Sequence, residues 1–208
     1  MSNAKFIVFE GIDGAGKSTQ IALLREALSR CKIKTDCSAE PTSLPSGVEL
    51  RRALSGELRK TPLEMAEMFA TDRVAHNIEI EKLLSDGVTV ISDRYYYSSL
   101  AYQGSVLGYD AVAKLNLDNP GIRRPDICIF LDLSPEKSLA RIGGRGANVE
   151  IYENLEYLTK TRKMFFDVFE RLKSKGENIA VIDASGSVET VANAVFDAVC
   201  AVYGGLEE

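Results

Sequence analysis

The stretch that most constrains this chain lies near its start. Lys5-Phe-Ile-Val-Phe-Glu10 is an apolar, β-branched run, and Gly11-Ile-Asp-Gly-Ala-Gly-Lys-Ser-Thr19 follows it with the spacing G-x-x-x-x-G-K-S. Gln20-Ile-Ala-Leu-Leu-Arg-Glu-Ala-Leu28 then repeats its apolar residues at helical spacing. Strand, glycine-rich turn and helix in that order make a cradle for phosphate. Glycines at 11, 14 and 16 let the backbone curl until its N–H groups face phosphate oxygens, and the opening of the helix adds partial positive charge. In such a cradle Lys17 reaches the β- and γ-phosphates and the Ser18 hydroxyl takes a place on Mg²⁺. A glycine-rich turn without a ligand accounts for the glycines alone, not for the whole pattern between these two elements. A nucleoside-triphosphate site is therefore expected.

The chain has 208 residues, which fits one α/β domain over 1–208 with a sizeable core. No run approaches the roughly 18 apolar residues of a membrane span, and no secretory signal is read at the N-terminus, so a cytoplasmic protein is expected. A net charge of −5 argues against binding a nucleic acid polymer, which calls for a basic face. Anions must instead be met by individually placed arginines. Cysteines at 31, 37, 128 and 200 form no C-x-x-C pair, and the only histidine, His76, falls in a predicted helix and is assigned no chemical role.

Hydrophobic patterning predicts further strands over 32–39, 88–92, 126–133 and 179–183, alternating with helices. Prolines at 41 and 45, with Gly47, mark a loop. Thr61-Pro-Leu-Glu64 opens a helix running to about Ser85, with Thr61 as cap, Pro62 at the first position and Glu64 completing a capping box. A loop and helix cover Tyr95 to about Leu117. Ser134 caps another helix, a long amphipathic helix follows the Gly143-Gly-Arg-Gly146 break, and the last helix spans Val188 to about Tyr203. Five buried strands alternating with helices imply a mostly parallel sheet with helices on both faces, and sites at the carboxyl ends of its strands.

Asp93-Arg94 ends one such strand. The aspartate can hold a water of a Mg²⁺ shell and the arginine can pair with a phosphate, although a strand-end salt bridge has the same sequence signature. Phe69 and Arg73, spaced i, i+4, present a ring and a guanidinium on one helix face. That combination suits a flat base, and equally a core ring beside an intrahelical ion pair. Arg141 and Arg145 flank the Gly143-Gly144 break, as a flap over a triphosphate would require, or as solvated arginines at a helix end. No general base is evident beyond Glu40 and Asp13. A phosphate monoester, already anionic, is a nucleophile that needs none; its transfer needs alignment and positive charge.

Several of these stretches together resemble the thymidylate kinases: Phe9 to Gln20, Glu40-Pro-Thr42, Phe69-Ala-Thr-Asp-Arg73, Asp93-Arg-Tyr95 with Ser98-Ser-Leu-Ala-Tyr-Gln103, Pro125-Asp126 and Val181-Ile-Asp-Ala-Ser185. The resemblance implies the P-loop NTPase three-layer fold with a five-stranded parallel sheet, and transfer of the ATP γ-phosphate to thymidine monophosphate with Mg²⁺. It implies ATP on Gly11, Ile12, Asp13, Gly14, Ala15, Gly16, Lys17, Ser18 and Thr19, with Ala184 and Ser185 bordering the adenine. On the acceptor side it implies Phe69 stacking on thymine, Arg73 at the base edge, Arg94 on the monophosphate and Asp13 on the 3′-hydroxyl. Tyr102 would crowd the position a ribose 2′-hydroxyl needs, while Glu40, Ser99 and Gln103 line the pocket. Ser18 and Asp93 serve the metal, and a homodimer forms through helices beside the sheet. The loop reads Asp-Gly-Ala-Gly, without arginine, so the transition-state arginine is expected from the flap at about 141–153, with Arg145 first and Arg141 second. The flap departs from many such members in reading Ala147-Asn-Val-Glu-Ile-Tyr-Glu153 where they carry further arginines. A kinase for another nucleoside monophosphate or a deoxynucleoside, and a nucleotide-binding regulatory module, are the competing readings.

Overall fold

The computed structural model describes residues 3–143 and 155–206. Arg145 and most of the expected flap lie outside those residues. Five strands, β1 (Phe6–Glu10), β2 (Thr35–Ala39), β3 (Thr89–Asp93), β4 (Ile127–Asp132) and β5 (Ile179–Asp183), form one sheet in the order β2-β3-β1-β4-β5. Every pairing is parallel. The register sets Phe9 against Asp93, Glu10 against Phe130, Ala39 against Asp93 and Asp132 against Asp183, so the strand ends line up along one edge.

Alternation along each strand divides the core into two layers. Phe6, Val8, Val90, Cys128 and Phe130 face one side. There they meet α3 (Pro62–Ser85), α4 (Tyr96–Tyr102), α6 (Tyr109–Asn116) and α8 (Leu155–Lys173) through Ile80, Leu100, Val112, Phe165 and Phe169. Ile7, Phe9, Ile91, Ile129 and Leu131 face the other side, against α1 (Lys17–Arg30) and α9 (Val188–Tyr203) through Leu24, Leu28, Val191 and Val195. The remaining helices are α2 (Pro45–Leu54), α5 (Gly104–Leu107) and α7 (Pro135–Gly143). This is the helix-on-both-faces arrangement that the strand-helix alternation predicts.

The capping box of α3 forms as expected: Glu64 N–H donates to Thr61 Oγ1 at 3.2 Å and Thr61 N–H to Glu64 Oε2 at 2.7 Å. Two expectations change. The stretch marked as a loop by Pro45 and Gly47 is α2, because Pro45 is its first residue, where a missing N–H costs nothing. The single helix expected between Tyr95 and Leu117 is three short ones, broken near Gln103 and at Gly108, whose φ is 86°.

Candidate active site

The loop of residues 11–16 connects β1 to α1. Gly14, at φ 79°, presses against α7: a Cβ there would sit 2.9 Å from Ser138 O and 3.1 Å from Ile142 Cγ1. Ser138 Oγ donates to Asp13 O from the same helix. The first turn of α1 has no side-chain cap among the described residues and no acidic residue of its own, which suits its N–H groups to an anion. Lys17 is buried at the start of α1, with Nζ donating to Gly11 O at 3.1 Å. Burial and the neighbouring charge of Arg94 lower its pKa to about 8.

Arg94 stands where β3 ends, at φ 73°, with its N–H donating to Phe9 O at 2.8 Å. Its guanidinium donates to Asp13 Oδ1 and, at 3.0 Å, to Ser98 Oγ, and lies over the Tyr102 ring at 5.7 Å. Burial opposes its charge, yet Tyr102, Asp13, Glu10 and Asp93 more than offset that and raise its pKa. Burial also raises the Tyr102 hydroxyl. Behind Arg94, Glu10 is wholly buried. Its Oε1 accepts from Tyr95 N–H at 2.9 Å and Ser98 N–H at 3.1 Å, and its Oε2 from Ser98 Oγ–H at 2.7 Å. Burial raises its pKa against the pull of Arg94. Glu10 thus ties the start of α4 to the end of β1 and fixes the turn that aims Arg94. No site role was expected for it; a carboxylate ending an otherwise apolar buried strand was the available signal.

Two cavities open on the carboxyl edge of the sheet. The first, about 330 Å³, is lined by Asp13, Gly14, Gly16, Lys17, Ser18 and Thr19 with Glu40, Asp93 and Arg94. The second, about 570 Å³, has apolar walls from Pro41, Leu54, Pro62, Met65, Phe69 and Met164, and polar groups from Ser98, Ser99, Tyr102 and Gln103. Asp13, Glu40 and Arg94 line both. A more voluminous basic depression at Arg25, Arg30, Lys32 and Lys34 lies at the opposite, amino edge, away from these groups.

Arg73 does not line the second cavity directly. It is buried, with Nε and Nη2 donating to Glu40 Oε2 at 2.8 and 2.6 Å, Nη2 to Ser99 Oγ at 3.2 Å, and Nη1 to Asn116 Oδ1. Ser99, which does line the cavity, brings the guanidinium to its wall. His76, read from the sequence as isolated, meets Glu40 Oε1 through Nδ1 at 3.0 Å. Asp72, also unassigned, accepts from Thr42 N–H and Oγ1–H at 2.8 and 2.6 Å and holds the Glu40-Pro-Thr42 turn. Both carboxylates considered as bases are therefore engaged, Glu40 by Arg73 and His76 and Asp13 by Arg94. Arg141 donates from Nη2 to Ala184 O at 3.0 Å, beside the loop at Gly16. Ser185 N–H is turned back onto Asp183 Oδ1 at 2.8 Å.

For a divalent cation the donors are few but suitable. Asp93 Oδ1 is buried with no hydrogen-bond partner among the described residues, and it shares the first cavity with the Ser18 hydroxyl. One carboxylate and one hydroxyl suit Mg²⁺, which keeps several waters and takes phosphate oxygens.

A polyphosphate cradle on one side of a cationic gate, and an apolar-walled slot for a second molecule on the other, is the plan of a P-loop nucleotide kinase. The family follows from comparison: residues 9–195 match the family model described as Thymidylate kinase, and this chain belongs to that family. It is 41% identical over 191 residues to a protein of Methanococcus aeolicus named probable thymidylate kinase, covering 90% of this chain and 91% of that one. A protein of Archaeoglobus fulgidus with the same name is 38% identical over 186 residues, 89% of each chain. The thymidylate kinase of Leptospira interrogans is 40% identical over 169 residues, covering 79% of this chain and 82% of its own.

Proposed function

We propose that the chain transfers the γ-phosphate of ATP to thymidine monophosphate, giving ADP and thymidine diphosphate. The observation that carries this reading is the junction of the two cavities at Asp13, Glu40 and Arg94, since a donor in one and an acceptor in the other would meet at the Arg94 guanidinium. Family membership and the names of the relatives support the choice of thymine.

In this scheme the residues of the 11–19 loop hold the ATP phosphates on backbone N–H groups, and Lys17 leaves Gly11 O for the β- and γ-phosphates. Arg94 holds the acceptor phosphate, and Asp13 keeps Arg94 oriented and receives the 3′-hydroxyl. An oxygen of the acceptor phosphate forms a bond to the γ-phosphorus. The bond from that phosphorus to the bridging oxygen breaks, and its electron pair leaves with ADP. No proton has to be removed from the nucleophile, which agrees with the engagement of Glu40 and Asp13 in ion pairs. Positive charge from Lys17 and Arg94 meets the polyanions where they approach. Ser18 and Asp93 would hold Mg²⁺, which would supply neutralisation of the phosphate charge.

Phe69 stacks on the base, Arg73 reaches its edge at the Ser99 wall, and Gln103 and Tyr102 close the pocket. Arg141 donates to Ala184 O, beside the residues assigned to the adenine, and Arg145 is taken as the first candidate for the arginine on the transferring group, with Arg141 as the second. The chain is read as a single domain with a flap at about 141–153, and as a cytoplasmic protein. No helix among the described residues is long and apolar enough to cross a membrane. A homodimer formed through helices beside the sheet is the expected assembly, on the family resemblance.

The test is ADP release from MgATP with equal concentrations of thymidine, uridine, deoxyuridine, adenosine and cytidine monophosphates and of free thymidine. Strong preference for thymidine monophosphate, then deoxyuridine monophosphate, is expected. Preference for another monophosphate would overturn the base pocket, and release indifferent to every acceptor would overturn the reaction.

A further inference from the structure

The lone histidine sits behind Glu40, which lines the acceptor cavity. His76 is 2% exposed on α3, one turn beyond Arg73. Its Nδ1 lies 3.0 Å from Glu40 Oε1 and its Nε2 lies 2.8 Å from Ser38 Oγ. A carboxylate only accepts, so Nδ1 carries a proton whatever the state of the ring, and the rotatable Ser38 hydroxyl adjusts to Nε2. The two Glu40 oxygens are thereby divided: Oε1 belongs to His76 and Oε2 to Arg73, through Nε and Nη2. Asn116 holds the far side of the guanidinium through Nη1, and its own Nδ2 is spent on Val112 O at 2.8 Å. Arg73 is thus fixed from two directions, and the remaining contact of Nη2 is Ser99 Oγ on the cavity wall.

We infer that His76 is a positioning residue for acceptor binding: by holding Glu40 Oε1 it fixes the carboxylate that presents Arg73 and Ser99 to the nucleobase. Without it, Glu40 Oε1 loses, in a buried place, its one donor among the described residues, and the carboxylate turns to find another. The guanidinium then follows Oε2 and loses its set distance from Ser99. The donor side is disturbed less: Glu40 also lines the first cavity, but it is Oε2 that carries Arg73 at the acceptor wall, and among the described residues His76 itself bonds Glu40 and Ser38, not the 11–19 loop. The inference rests on the reading of the second cavity as the monophosphate site.

His76→Leu removes both ring contacts at similar volume, and His76→Asn keeps an N–H donor near the position of Nδ1. For His76→Leu the KM for thymidine monophosphate is expected to rise about tenfold, as for loss of one buried hydrogen bond to a charged group, with the KM for ATP within about twofold of the parent. His76→Asn should recover most of the loss. Ser38→Ala, in a less buried place, should give a smaller rise of the same kind and serves if His76→Leu does not fold. Arg73→Ala is measured alongside. If it raises the KM for thymidine monophosphate selectively while His76→Leu and Ser38→Ala do not, the cavity reading stands and the role of His76 is refuted. If the His76 variants raise both KM values together, or lower only the melting temperature, His76 is merely structural. If Arg73→Ala itself is not selective, the cavity reading fails and the inference with it.

Discussion

Replacing Lys17 with methionine should stabilise the nucleotide-free protein while abolishing transfer. Lys17 is 8% exposed, and burial with the nearby Arg94 brings its pKa from 10.5 down to about 8. Near pH 7 the amine is charged in both folded and unfolded chains, and that fall amounts to about 3 kcal/mol of folding free energy forgone. Methionine keeps the length of the side chain and removes the charge. It also removes the hydrogen bond to Gly11 O, worth about 1 kcal/mol, so a net gain of about 2 kcal/mol remains. For a domain of this size that is about 4–8 °C in melting temperature. The gain should depend on pH in one direction. Above about 8 the folded protein sheds the proton while the unfolded chain holds it until about 10.5, so the parent gains stability through that window and the gap closes. Scanning calorimetry without nucleotide at pH 7, 8.5 and 10, with turnover measured in parallel, reads both effects. A variant that melts at or below the parent at pH 7, or a gap that widens toward pH 10, would refute the reasoning.

Gly47 on α2 lies so close to the Glu40-Pro-Thr42 turn that an added Cβ would stand 2.6 Å from Thr42 N. Gly47→Ala should therefore destabilise by about 1–3 kcal/mol and raise the KM for thymidine monophosphate more than that for ATP, as melting curves and steady-state kinetics will show. Asp93→Asn should raise the Mg²⁺ concentration giving half-maximal rate by about tenfold, with equilibrium melting of the metal-free protein changed far less; an unchanged Mg²⁺ titration removes Asp93 from the metal site. Arg145→Ala should lower turnover by roughly 10²-fold at saturating substrates, and an unchanged kcat would move the transition-state arginine elsewhere.

The parts of this architecture legible in the sequence are those set by local chemistry. The β1–loop–α1 unit, the capping box at Thr61 and Glu64, and the apolar run of β4 each carry their signal within a dozen residues. The helix α2 was hidden because Pro45 and Gly47 are both loop residues by local rule. Their actual reasons are a free first-turn position and the close approach of Thr42. The pairing around Arg73 was likewise invisible. Its spacing from Phe69 suggested a guanidinium open to a base, whereas Glu40 and Asn116, 33 and 43 residues away, enclose it. His76 looked isolated for the same reason, its partners Ser38 and Glu40 lying on and just after β2. Glu10 shows the opposite case. Its place at the end of a buried strand was plain, but its role depends on Tyr95 and Ser98, which only the parallel pairing of β1 with β3 brings beside it.

The most direct measurement follows the phosphate itself. ATP labelled at the γ-phosphate is incubated with Mg²⁺, thymidine monophosphate and the protein, and the products are separated. Transfer across the Arg94 junction predicts label in thymidine diphosphate, at its β-phosphate, in step with ADP formed. Label appearing only as inorganic phosphate, or remaining in ATP, would contradict the account of two cavities serving one transfer.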